Sequence, residues 1–222
     1  MSRIKNLPAL AAAALLTIAG AAQADTVNLR YAGADHTTTT SVYINGATLN
    51  NVLIGSYRLE QQGQPGSFIA YCVDPFQQSS GSYSAYDRSP LVAAQLPSVE
   101  AVRFANVSKL FGNAYAGSLA NNTKAAGFQL ALWEVWHDDG NLATGIVRSV
   151  GGSNAAMVAE ANSLLGSMAG WSTGTSYELT RYSSASYQDF VTAAVPEPET
   201  YALLLAGLGM LGFARRRVSS PA

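Results

Sequence analysis

Apolar and polar residues alternate with a period of two through the first part of the chain, then recur at helical spacing in its middle. Val27–Tyr31 reads as a short strand, followed by a polar loop over Gly33–Thr40. Ser41–Ile44, Asn45-Gly46 and Ala47–Leu49 read as a hairpin, because Asn-Gly supplies the positive φ angles of a type I′ turn. Val52–Glu60 and Ser67–Asp74 are longer strands, separated by the Gly-, Gln- and Pro-rich Gln61–Gly66. In the second of them Phe68, Ala70 and Cys72 share one face, and Pro75 ends the strand just beyond Cys72. From about Leu91 the spacing predicts helices: one capped by Ser98 and ending at Phe111 before Gly112, and one capped by Thr123 and running to about Asp138, with Gly140 as its stop. A third runs from Ser153 toward Met168. In the second helix Phe128, Leu132 and Val135 form one apolar stripe, and Gln129, Trp133 and Trp136 form another. Strands return at Ser176–Tyr182 and Tyr187–Ala193. Strands, then helices, then strands predict an α+β fold: an antiparallel β-sheet or sandwich with a helical insertion.

The two ends do not belong to that pattern. Residues 1–24 read as a secretory signal peptide, with Arg3 and Lys5 before an apolar run over Leu7–Ala22 and Ala22-Gln23-Ala24 as a small-residue cleavage site. Residues 25–194 are then the extracellular domain. Residues 195–217 hold Pro196-Glu197-Pro198, an apolar helix over 201–214, and the cluster Arg215, Arg216 and Arg217, with 218–222 as a tail. The two prolines impose an extended approach. The apolar run falls short of the roughly 20 residues that span a bilayer comfortably, a gap that snorkelling arginines and local thinning can close. Arginines retained on the cytoplasmic side place the domain outside. This tail resembles the PEP-CTERM sorting signal of exopolysaccharide-producing Gram-negative bacteria, on Val195-Pro196-Glu197-Pro198, Thr200, the Leu/Gly-rich segment and the arginine cluster. The resemblance implies transient anchoring in the inner membrane and cleavage near the Pro-Glu-Pro by an exosortase. It further implies release or transfer to the outer surface or matrix.

Composition narrows the partners. Only 12% of residues are charged. Of thirteen basic residues, eight remain after Arg3, Lys5 and Arg215–Arg217 are set aside, and of fourteen acidic residues twelve remain after Glu197 and Glu199, for a net charge near −4. A mildly acidic domain argues against nucleic acid and against anionic membrane surfaces as partners. No Ser-His-Asp spacing, zinc motif or phosphate loop is visible, and no cofactor is implied. His137, Asp138 and Asp139, with Glu134, offer nitrogen and oxygen ligands in one short segment, and Asp138-Asp139-Gly140-Asn141 could hold calcium at a helix end. The segment lacks the full spacing of a calcium loop, so a polar helix terminus is the competing reading.

Cys72 is the only cysteine, so an internal disulfide is impossible. It can be a small buried hydrophobe, pair with another chain, or spend its thiol in a different bond. Tyr71-Cys72-Val73-Asp74 and Gln129-Leu130-Ala131-Leu132-Trp133 resemble the two signature segments of bacterial surface thioester domains, in the same order and 57 residues apart. The likeness covers about Ser67 to Asp138. Phe128 stands where the Gram-positive adhesins usually carry Thr or Ser before the glutamine. The resemblance implies an internal thioester between Cys72 and Gln129 that acylates a surface amine such as a lysine once per molecule, which is covalent binding and not turnover catalysis. Tyr71, Asp74 and Ala131 would support the site, with Trp133 and Trp136 screening the acyl group from water. Two other classes fit the same export signals: a non-reactive structural protein of the exopolysaccharide or biofilm matrix, and a calcium-dependent carbohydrate-binding module.

Overall fold

The computed structural model describes residues 25–91, 98–172, 174–194 and 205–208. β1 spans Asp25–Ile44 and turns through Asn45 (φ 45°) and Gly46 (φ 96°) into β2, Ala47–Gln61. Both turn residues take the positive φ that the Asn-Gly pair predicts. The stretch 33–40, expected as a loop, is instead the middle of β1. Register shifts between Tyr31 and Gly33, Ala34 and Thr37, and Thr40 and Val42 break the alternation of faces. Such bulges hide a strand from a period-two reading, while the β-branched run Thr37–Thr40 suits one. Gly55, at φ 145°, sits opposite the middle bulge, where a Cβ would fall 2.0 Å from the His36 carbonyl oxygen.

The remaining elements are β3 (Phe68–Cys72), β4 (Ser84–Pro90), α1 (Ser98–Ser118), α2 (Asn122–His137), β5 (Val147–Arg148), α3 (Ala155–Ser167), β6 (Glu178–Ser183) and β7 (Phe190–Ala194). All pairings are antiparallel, and they run β1–β2–β3–β7–β6–β4 and back to β1. The expected sheet or sandwich is therefore a six-stranded sheet closed on itself. β1 closes it by its length: Asp25–Leu29 pairs with β4, while Leu29 onward pairs with β2. β5 extends the far end of β1 at Tyr43 and Ile44. Closure leaves few free strand edges, which suits an exported protein that must not pair with its neighbours. β4 was not evident in the sequence because in Ser84–Pro90 only Tyr86 is buried.

Three helix boundaries also differ from expectation, the first for a packing reason. α1 continues through Gly112 to Ser118. Gly112 is a contact point and not a stop: its carbonyl accepts from Thr175 N at 2.8 Å, and a Cβ on Gly174 would lie 2.2 Å from that oxygen. α2 is capped by Asn121, whose side chain accepts from Lys124 N at 3.0 Å, two residues earlier than a Thr123 cap would place it. α3 is capped by Asn154, where the sequence pointed to Ser153. α2 has no solvent face over most of its length, every residue from Ala125 to Val135 being buried. It packs against β1 and β2 on one side and between α1 and α3 on the others. At Gly127 a Cβ would meet Glu160 Cβ of α3 at 2.6 Å. The two expected stripes are thus parts of a helix that is internal all round, which is why polar residues on it must find partners inside the protein.

The expected signal peptide (1–24), Pro196, Glu197, Pro198 and Arg215–Arg217 lie outside the described residues. Of the apolar run 201–214, residues 205–208 are described and helical. Among the described residues no helix is long and apolar enough to cross a membrane.

Candidate functional site

Cys72 is the last residue of β3, and the β2–β3 ladder stops one residue before it, at Ser56 and Tyr71. The backbone of Val73 faces β7, donating to Asp189 O at 2.9 Å. By the alternation of a strand, the backbone of Cys72 faces the other way, where β2 no longer offers a partner. Gln129 supplies one. Its Oε1 accepts from Cys72 N at 2.8 Å and its Nε2 donates to Cys72 O at 2.6 Å. The carboxamide stands in for a peptide group and adds one side-chain rung to the sheet. Both residues are fully buried. The two residues singled out 57 positions apart are therefore in contact, and the contact is between a side chain and a backbone.

The thiol has its own surroundings. Cys72 Sγ donates to Asp74 O at 3.1 Å, and Asp74 Oδ1 in turn accepts from Phe76 N at 2.9 Å, fixing the turn that follows the strand. Burial pushes the Cys72 thiol well above its usual range, and the indole N–H of Trp133 partly opposes the shift. That N–H has no conventional hydrogen-bond partner although Trp133 is buried. It is an unspent donor beside the sulfur.

The other expected residues divide between the site and its frame. Tyr71 is buried, donating its hydroxyl to Ser118 Oγ at 2.7 Å, while Ser118 donates to Tyr115 O. Its ring packs on Phe128, with centroids 4.6 Å apart, and both rings join Phe111 and Tyr115. Phe128 thus fills an aromatic cluster that ties β3 to α1 and α2. Ala131 is buried on α2. Trp136 is half-buried under the Arg181 guanidinium of β6, 5.7 Å from its ring centre. Of the two tryptophans expected to screen the site, Trp133 is the one beside it. Ser118 and Asp189 carry no signal in the sequence pattern, because their contributions run through a hydroxyl relay and a backbone carbonyl.

The expected metal ligands separate as well. His137 Nε2 donates to Val73 O at 2.6 Å, and the ring meets Phe76 edge-on with centroids 5.2 Å apart. Burial lowers its pKa, and with Nε2 held by Val73 O the ring serves as a clamp on the strand end. Glu134, Asp138 and Asp139 do come together, with one oxygen from each within 4.8 Å of the others. Burial pushes the Glu134 carboxyl up to about 7, with Asp138 and Asp139 adding to the rise and the N–H groups of Asn141 and Gly140 opposing it.

No curated protein and no solved structure matches the chain. The likeness to thioester domains accordingly rests on Tyr71–Asp74 and Gln129–Trp133 alone. Residues 194–218, starting at the last residue of β7, match the family model described as the PEP-CTERM protein-sorting motif. The chain carries the sorting motif of an exosortase substrate, a protein exported through membrane-associated processing.

Proposed function

We propose that the mature domain is a single-use covalent binder on the cell surface or in the extracellular matrix, armed by a thioester between Cys72 and Gln129. The observation that carries this reading is the paired hydrogen bond between the Gln129 carboxamide and the Cys72 backbone, which brings an electrophilic carbon to the residue bearing the only thiol. Held geometry replaces a bimolecular encounter. In the forming step Sγ bonds to Gln129 Cδ, the Cδ–Nε2 bond breaks, and the thiol proton leaves with the nitrogen as ammonia. Oε1 becomes the thioester carbonyl oxygen, still facing Cys72 N–H. Burial that penalises a thiolate does not penalise a neutral thioester, and the free Trp133 N–H can steady negative charge as it passes through the tetrahedral stage. In the spending step a primary amine attacks Cδ, the Cδ–Sγ bond breaks, and the amine's proton ends on Sγ. The product is an amide to Gln129 and a free Cys72 thiol. Full burial excludes water, so the strand-end turn over Val73–Phe76 must open for an amine such as a lysine to enter.

The same burial supports one rival from another class. A raised, covered thiol and a carboxamide that satisfies two backbone groups also describe a non-reactive structural protein of the exopolysaccharide matrix, with Gln129 as a staple. Incubating the purified chain with a fluorescent primary amine separates them. The binder takes up label that survives denaturation, maps to Gln129, and is absent in Cys72→Ala and reduced in Trp133→Phe. Label at no position, with one thiol that titrates only after unfolding, leaves the staple.

A further inference from the structure

At the far end of α2 the carboxylates of Glu134, Asp138 and Asp139 converge, and each has already committed one oxygen to the backbone. Glu134 Oε1 accepts from Gly140 N (3.2 Å) and Asn141 N (2.9 Å). Asp138 Oδ2 accepts from Ile146 N and from Val147 N (3.1 Å), and Asp139 Oδ1 from Asn141 N (3.0 Å). Their other oxygens, Glu134 Oε2, Asp138 Oδ1 and Asp139 Oδ2, have no hydrogen-bond donor among the described residues. The decisive one is Glu134 Oε2. Its residue is fully buried, and the atom has no partner among the described residues. A buried carboxylate oxygen in that condition is costly unless a proton or a cation meets it, and the raised Glu134 value is what that cost produces in the ion-free protein.

Among the described residues none of the three carboxylates has a basic partner within 4.0 Å. Asp138 and Asp139 line a cleft of about 700 Å³ together with Arg103 and Lys109, so those two carboxylates can be reached from solvent. We infer that Glu134, Asp138 and Asp139 bind a hard divalent cation, calcium before magnesium, at the junction of α2 with the 138–147 loop. Three anionic oxygens, unevenly buried and open to water on the cleft side, suit a cation that accepts six to eight oxygens in irregular geometry better than one that demands an octahedron. The cation would fix the loop that Asp138 and Glu134 already tie to α2 and β5. It is independent of the Cys72–Gln129 bond.

Terbium luminescence sensitised by the tryptophans of α2, with calcium as competitor, tests this on the purified full chain. Saturable terbium binding displaced by calcium, with a dissociation constant of about 0.1–1 mM for calcium as in extracellular modules, is expected. Glu134→Gln keeps the acceptor for Gly140 and Asn141, and Asp139→Asn keeps that for Asn141. Each should weaken calcium about tenfold or more while the thermal midpoint in chelator stays at or above that of the parent. No saturable binding in the parent, or less than about a tenfold change in both variants, overturns the site.

Discussion

Changing Gln129 to Leu in a Cys72→Ala background isolates the contact on which the account of the site rests. Alanine at position 72 removes the sulfur, so no thioester can form, yet it keeps the N–H and C=O that Gln129 engages. Leucine is close to glutamine in volume, so the core neither collapses nor overfills. What is lost is one acceptor and one donor, leaving two buried backbone groups unpaired where β2 offers no replacement. An orphaned buried polar group costs about 1–3 kcal/mol, so the pair should cost on the order of 2–6 kcal/mol. Relief from burying the carboxamide itself pulls the figure toward the lower half of that range. Urea denaturation of Cys72→Ala and Cys72→Ala/Gln129→Leu measures the difference as a shift in midpoint at constant slope. A loss below about 1 kcal/mol would refute the rung-like role of Gln129 and the positioning argument built on it.

Four further outcomes follow from the packing and the charges. Gly174→Ala drives a Cβ to 2.2 Å from the Gly112 carbonyl and should destabilise by about 1–3 kcal/mol in thermal or urea unfolding. Gly117→Ala, on α1 like Gly112 but facing open space, should instead gain up to about 1 kcal/mol. In Gln129→Leu with Cys72 intact, burial of the thiol predicts negligible alkylation by iodoacetamide at mildly alkaline pH until denaturant is added, read as mass gain against time. Burial raises Asp35, but hydrogen bonds from His36, Arg58 and Ser56 together outweigh it and hold the carboxyl below its ordinary value near 3.8. Its stabilising contribution is therefore complete above that value and lost as pH falls through the lower folded value. Asp35→Asn should flatten the acid limb of the stability curve there and leave its shape near neutrality unchanged.

The pattern of apolar residues made the helical middle and the flanking strands readable, and the Asn45-Gly46 turn could be placed to the residue. What escaped was whatever tertiary contact overrode local signals. Gly112 looked like a helix stop because a helix-terminating glycine and a close-approach glycine share one letter, and only Thr175 and Gly174 decide between them. The bulges in β1 shifted its faces three times, so a strand of twenty residues read as a strand, a loop and a strand. That loss hid the closure of the sheet, which depends on β1 reaching both β2 and β4. At the site, the sole cysteine and one glutamine were legible as a pair. The way they meet, through a ladder that ends one residue short, was not, because hydrogen bonding to a backbone leaves no trace in residue identity. His137 stands among the acidic residues in sequence but turns to Val73, while Glu134, internal on α2, turns to them.

Intact mass spectrometry of the purified chain, before and after methylamine, tests the covalent claim most directly. The account predicts a mass one ammonia below that of the mature sequence, a gain of one methylamine on treatment together with one free thiol, and neither change in Cys72→Ala or Gln129→Ala. A mass equal to the mature sequence, with Gln129 unconverted to glutamate and no methylamine adduct, would contradict it and leave Gln129 as a structural staple of the sheet.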